Sequence, residues 1–214
     1  MTDRRLARLA GAFYLLIILA GVTSEVVLRA PFHVGSPETV AAALSEGLGR
    51  LRLSLLFDLA MVGADITVAL LFYRLLVPVS AGLSLAAMVF RLMQAATIAV
   101  GLILLAGIPT SLTSGADVQA TTLLTLHGIA YDTGLALFAV NCWLMGWLLW
   151  QAGGVPRVIA AGIALSGGVY MAGSLARLAA PDLLPLIQPA YLVPLLAETG
   201  LCLWLLITGR VRAR

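Results

Sequence analysis

Charge is what this chain has least of. Only 11 % of its residues are charged and 61 % are hydrophobic, where soluble domains carry about 25 % and about 45–50 %. Mean hydropathy is +1.04. A chain of 214 residues folded in water has no way to hide this much apolar surface, so a soluble fold is excluded. Lysine is absent, and all 13 basic residues are arginine. No basic stripe lies on a polar surface, which excludes nucleic acid as a partner. Cysteine is limited to Cys142 and Cys202, both inside apolar runs, so buried thiols are expected rather than a disulfide or a zinc site. No Cys-x-x-Cys, His-Glu-x-x-His or phosphate-binding glycine loop occurs. Neither a cofactor nor a metal is expected.

What is present is apolar length. A helix crossing a hydrocarbon core of about 30 Å needs about 20 residues. Six runs meet that requirement, at about 6–28, 51–76, 79–108, 121–150, 157–179 and 187–208. The expectation is an all-α membrane protein, one integral domain over 1–214, built as a six-transmembrane-helix bundle. Arg4, Arg5 and Arg8 before an apolar run look like a signal peptide. The run is long enough to span and no small-residue cleavage site ends it, so it is expected to stay as the first span.

Arginine placement sets the expected orientation. With the N-terminus inside, the inner side holds Arg4, Arg5, Arg8, Arg74, Arg157, Arg210, Arg212 and Arg214. The other side holds only Arg29, Arg50 and Arg52. Both termini are therefore expected in the cytoplasm, in the inner (plasma) membrane of a bacterium. The first outer loop, 30–50, carries Ser36-Pro37-Glu38, a helix-start signature with Ser36 as N-cap. A short amphipathic helix should follow to Glu46 and stop at Gly47. In the fifth span, Ala164, Gly168, Ala172 and Ala176 recur every four residues. Such a stripe lets backbones approach closely and should pack inside the bundle, with homodimerisation as the alternative use. In the sixth, Pro194 should remove the bond to the Ala190 carbonyl and kink the helix one turn before Glu198.

Several short motifs lie along the chain's length: Arg8-Leu9-Ala10-Gly11 with Tyr14-Leu15-Leu16, and Phe57-Asp58-Leu59 with Leu71-Phe72-Tyr73-Arg74-Leu75-Leu76. Phe90-Arg91-Leu92, Gly154-Val155-Pro156-Arg157, Gly167-Gly168-Val169-Tyr170, and Glu198 with Leu203-Trp204-Leu205-Leu206 follow. In these motifs the chain resembles a family of six-span bacterial membrane proteins known only as a domain of unknown function. The resemblance implies a common six-helix fold and no particular reaction.

Depth sorts the polar residues inside the spans. Counted from the inner ends, Asp65, Arg91, Asn141, Tyr170 and Glu198 fall in one layer roughly 15–20 Å deep, with Gln94 about a turn further out. Asp58, Asp132 and Arg177 form a second layer at roughly 27–30 Å, and His127 lies beyond it. Arginine in a span is costly, by about 2.5–3.5 kcal/mol on insertion scales, so Arg91 must pair with Asp65 or Glu198. The other acid should then hold a proton. The outer layer sets two acids against Arg177, with His127 as the balancing charge. Asp58, His127 and Asp132 as a metal site is disfavoured, because His127 and Asp132 occupy different helix faces. Ser166 as a nucleophile fails, because His127 lies at another depth.

A surplus protonatable carboxylate at mid-membrane suits a protein that binds or transports a small molecule or lipid. Membrane lipids and a lipophilic small molecule are the expected partners, the pocket opening to the outer face or sideways to lipid. Two alternatives compete. One is an intramembrane enzyme with Glu198 or Asp65 as general acid on a lipophilic substrate. The other is a structural subunit whose buried charges only fix the bundle. A dry, fully paired cluster at Arg91 would remove the first two readings from that centre.

Overall fold

The computed structural model describes residues 3–212. Arg214, one of the arginines used for orientation, lies outside them. The backbone is helical, and among the described residues the only β feature is an isolated bridge between Gly153 and Arg212. The chain runs through α1 (Asp3–Val22), continued by a π-helical turn over Thr23–Leu28 and a 3-10 turn over Ala30–His33. Then come α2 (Pro37–Glu46), α3 (Leu48–Leu76), α4 (Ala81–Thr113), α5 (Asp117–Ala152) and α6 (Arg157–Ala179). It ends with the short α7 (Leu184–Ile187), between 3-10 turns at Pro181–Leu183 and Gln188–Tyr191, and α8 (Leu192–Thr208).

Six stretches are long and apolar enough to cross a membrane: Asp3–Leu28, Leu48–Leu76, Ala81–Thr113, Asp117–Ala152, Arg157–Ala179 and Pro181–Thr208. The protein is a multi-pass membrane protein, and its apolar flanks face lipid. Local chemistry sets the helix ends. The Ser80 hydroxyl accepts from the Leu83 amide and starts α4. Gly153 (φ 70°) and Gly209 (φ 61°) take the left-handed conformation that closes α5 and α8. Ser36 does the same work as Ser80 at the start of α2, accepting from the Thr39 amide at 3.4 Å.

The spans form a ring in chain order. α1 packs on α3, α3 on α4, α4 on α5, α5 on α6 and α6 on α8, and α8 returns to α1. The seam is tight: a Cβ on Gly11 would stand 2.9 Å from the Leu206 amide nitrogen. α2 packs on α5, with further contact to α3 and α4, across the end of the ring opposite the N-terminus. The buried apolar residues form two plugs. One, at the end that holds the termini, draws on every span, with Phe72, Leu76, Phe138, Leu149, Leu201 and Leu205 among its members. The other contains Phe32, Leu44, Leu51, Met61, Ile98 and Leu105 and includes no residue of α6 or α8. On that side α6 packs on α7 and on the 3-10 turns that flank it.

Two packing expectations are corrected. The small-residue stripe of α6 packs only in part: Ala176 is buried and Ala164 backs onto Gly146 of α5, but Gly168 and Ala172 are exposed. Ala160, Ile163, Gly167 and Ser174 are buried instead. A Cβ on Gly167 would lie 2.6 Å from the Ala139 carbonyl, whereas one on Gly168 would meet nothing within 4 Å. Pro194 does not kink a span. α8 starts only at Leu192, so Pro194 sits in its first turn, where a missing amide proton leaves no bond unmade.

Candidate functional site

Every span sends a polar side chain into one layer between the two plugs. α3 gives Asp65 and α4 gives Arg91. Arg91 donates through Nε at 3.0 Å and Nη2 at 2.6 Å to Asp65 Oδ1. Gln94, one turn along α4, donates to Asp65 Oδ2 at 3.3 Å. The Arg91 guanidinium also lies 5.1 Å from the Tyr14 ring centre and 5.0 Å from that of Phe138. Such contacts are worth about 2 kcal/mol when desolvated. Arg91 and Asp65 are 3 % and 2 % exposed. A void of about 10 Å³ lies beside Arg91, roughly the room one water needs. Asn141, from α5, lines that void and donates to the Ala87 carbonyl at 2.7 Å, which ties α5 to α4. The Arg91 centre is therefore buried and paired, and it pins α3 to α4.

Glu198 is different. Its Oε2 accepts from the Tyr14 hydroxyl at 3.0 Å and its Oε1 from the Tyr170 hydroxyl at 2.5 Å. It makes no ion pair among the described residues. Glu198 and Tyr170 are only half-buried, on α8 and α6. Tyr191, in the 3-10 turn before α8, packs edge-on against Tyr170 at 5.9 Å. Tyr14 joins the two groups, with its ring on Arg91 and its hydroxyl on Glu198.

The outer layer does not exist as one unit. Asp58 pairs with Arg29, which also donates to Ser24 Oγ at 2.8 Å. Two further bonds run from Arg29 to Glu25 Oε2, at 3.0 and 2.7 Å. The π-helical turn makes this reach possible, since the Arg29 amide bonds back to Ser24 O. Asp132, from α5, pairs with Arg177 of α6 at 2.6 Å, half in solvent. Asp58 and Asp132 thus each meet a different arginine; Arg29 is shared with Glu25, which also faces His33 Nε2 at 3.3 Å, and His127 is not the balancing charge. His127 is buried against Gly101 and Tyr131, and its Nδ1 has no partner among the described residues. Ser166 donates to its own helix at Gly162 O, 2.8 Å away. No group of three histidine, cysteine or acidic residues comes together to hold a metal among the described residues.

The sequence reading missed Tyr14 and Arg29 as members of these clusters. A tyrosine in a first span reads as an interfacial aromatic, and an arginine at a span end reads as a flank.

With this geometry in place, the chain can be set beside known families. A family model for a domain of unknown function matches residues 9–209. The chain belongs to that family, DUF4386. The match takes in Tyr14, Asp65, Arg91, Asn141, Tyr170 and Glu198, so the whole layer lies inside the DUF4386 region. No curated protein and no solved structure matches the chain.

Proposed function

We propose that this DUF4386 member binds, and in its working cycle releases, a small lipophilic molecule or lipid at Glu198. One observation carries the reading. Glu198 is a mid-span carboxylate, half-buried, with two tyrosine hydroxyls and no arginine of its own among the described residues. A carboxylate so placed exchanges a proton for a ligand contact more readily than one already locked to arginine. Arg91 and Asp65 hold the scaffold under the site, and Tyr14 fixes the Glu198 carboxylate to that scaffold.

The orientation belongs to the same reading. The arginine count supports both termini in the cytoplasm, in a bacterial inner membrane, with α2 over the outer end.

The test is native mass spectrometry of the purified protein, with identification of the retained small molecules at acidic and mildly alkaline pH. Wild type should retain a lipophilic species whose occupancy changes with pH. Glu198→Gln should remain folded and lose that pH dependence. A Glu198→Gln protein that fails to insert or assemble would instead make the residue structural.

A further inference from the structure

The ring has a second polar feature, far from Glu198. At the end that holds the termini, a cleft of about 880 Å³ opens between the start of α1, the end of α5 and the end of α8. Ligand pockets span about 300–1,000 Å³, so its size suits a molecule rather than an ion. Arg4, Arg210 and Arg212 line it, with Asp3 as the only acid. Arg212 is paired with Asp3. Arg4 and Arg210 both line the cleft, and their guanidinium groups make no hydrogen bond or ion pair among the described residues.

The cleft is built by close backbone contact. The Gly154 amide donates to Val211 O at 3.2 Å. A Cβ there would lie 2.5 Å from the Arg212 backbone, so only glycine lets the C-terminal segment lie against the α5–α6 turn. Trp204 forms one wall and donates its indole N–H to Gly154 O at 3.1 Å and Arg210 O at 3.0 Å. It thereby fixes Arg210 at the rim.

Depth points to the ligand. Trp143, Trp147 and Trp150 stand exposed on the last turns of α5, at the same end. Arg157 lies 5.2 Å from the Trp150 ring centre. Exposed tryptophans mark the level of lipid headgroups, and guanidinium groups match phosphate oxygens in paired geometry. We propose that this cleft binds the phosphodiester headgroup of an anionic membrane lipid, held by Arg4 and Arg210.

The probe is phosphatidylglycerol, set against phosphatidylcholine of the same acyl chains and offered to the full chain in neutral detergent. Adducts are read by native mass spectrometry. Wild type should retain phosphatidylglycerol in preference by on the order of tenfold. The Arg4→Gln/Arg210→Gln double variant should lose the preference with its thermal unfolding midpoint unchanged. Arg5→Gln, which removes an exposed charge outside the cleft, should keep it. Equal retention of the two lipids, or equal loss in Arg5→Gln, would overturn the site in favour of diffuse attraction. If the double variant does not fold, Arg4→Lys/Arg210→Lys takes its place, and full retention there combined with loss in either single glutamine variant upholds the proposal. Glycerol phosphate that binds as well as the lipid would keep the phosphate chemistry but overturn the lipid as its source.

Discussion

Tyr14 carries Arg91 on its ring face, 5.1 Å from the guanidinium carbon, and gives its hydroxyl to Glu198 at 3.0 Å. One side chain of α1 thus touches both halves of the mid-span layer, the sealed ion pair and the half-buried carboxylate, and is the contact by which Glu198 of α8 meets the α3–α4 pair.

Because Arg91 and Asp65 are sealed, removing either leaves an uncompensated charge away from water. Arg91→Met or Asp65→Leu alone should cost about 3–5 kcal/mol, whereas the double replacement should recover most of that loss. Thermal unfolding of the three variants in one detergent decides this. Equal losses for single and double variants would mean that the pair is not what the apolar surroundings tolerate.

The Tyr170 hydroxyl, at 2.5 Å, should hold Glu198 more firmly than that of Tyr14. Tyr170→Phe should cost about 1.5–3 kcal/mol, the range for a hydrogen bond to a charged group. Tyr14→Phe keeps the ring against Arg91 and should cost less. Combining each with Glu198→Leu in a double-mutant cycle should give a coupling of about 0.5–3 kcal/mol. A coupling of zero for Tyr170 would show that its hydroxyl does not restrain the carboxylate.

Neighbouring glycines on α6 should behave oppositely. Gly167→Leu drives side-chain atoms into the Ala139 carbonyl and Trp143 and should cost about 1–3 kcal/mol. Gly168→Ala adds a methyl into open space and should stay within about 1 kcal/mol of wild type. Unfolding midpoints of the two variants, measured side by side, check which face of α6 is packed.

The orientation is open to chemical labelling. Ala81→Cys lies at the start of α4, next to the turn from α3, and Val118→Cys at the start of α5, both exposed. The two native cysteines are buried. In intact cells, a membrane-impermeant maleimide should label Val118→Cys at once and Ala81→Cys only after permeabilisation. The reverse pattern would place both termini outside.

The six spans were legible because length and hydropathy are properties of the chain alone. Arg91 was legible as a residue in need of a partner. Which partner it takes was not, since depth places Asp65 and Glu198 together and says nothing about position around a ring. Adjacency decided it: α3 packs directly on α4, while α8 closes on α1 and α6. The acid surplus of the outer layer around Arg177 dissolves for a related reason: Arg29 stands at a span end in the sequence, and only the π-helical turn carries it back to Asp58. On α6 the period of four holds at Ala164 and Ala176, but between them the packed glycine is Gly167 and not Gly168, because the buried face drifts along the helix.

The contact between α1 and α8 has a consequence for how the protein is made. The first helix to enter the membrane finds half of its neighbours only when the last one arrives. Until then Gly11 and Tyr14 wait beside lipid, and the carboxylate that Tyr14 will hold has not been synthesised. Closure of the ring is therefore a late event in biogenesis, and a chain that stalls before α8 exposes an unfinished seam to whatever quality control patrols the bilayer.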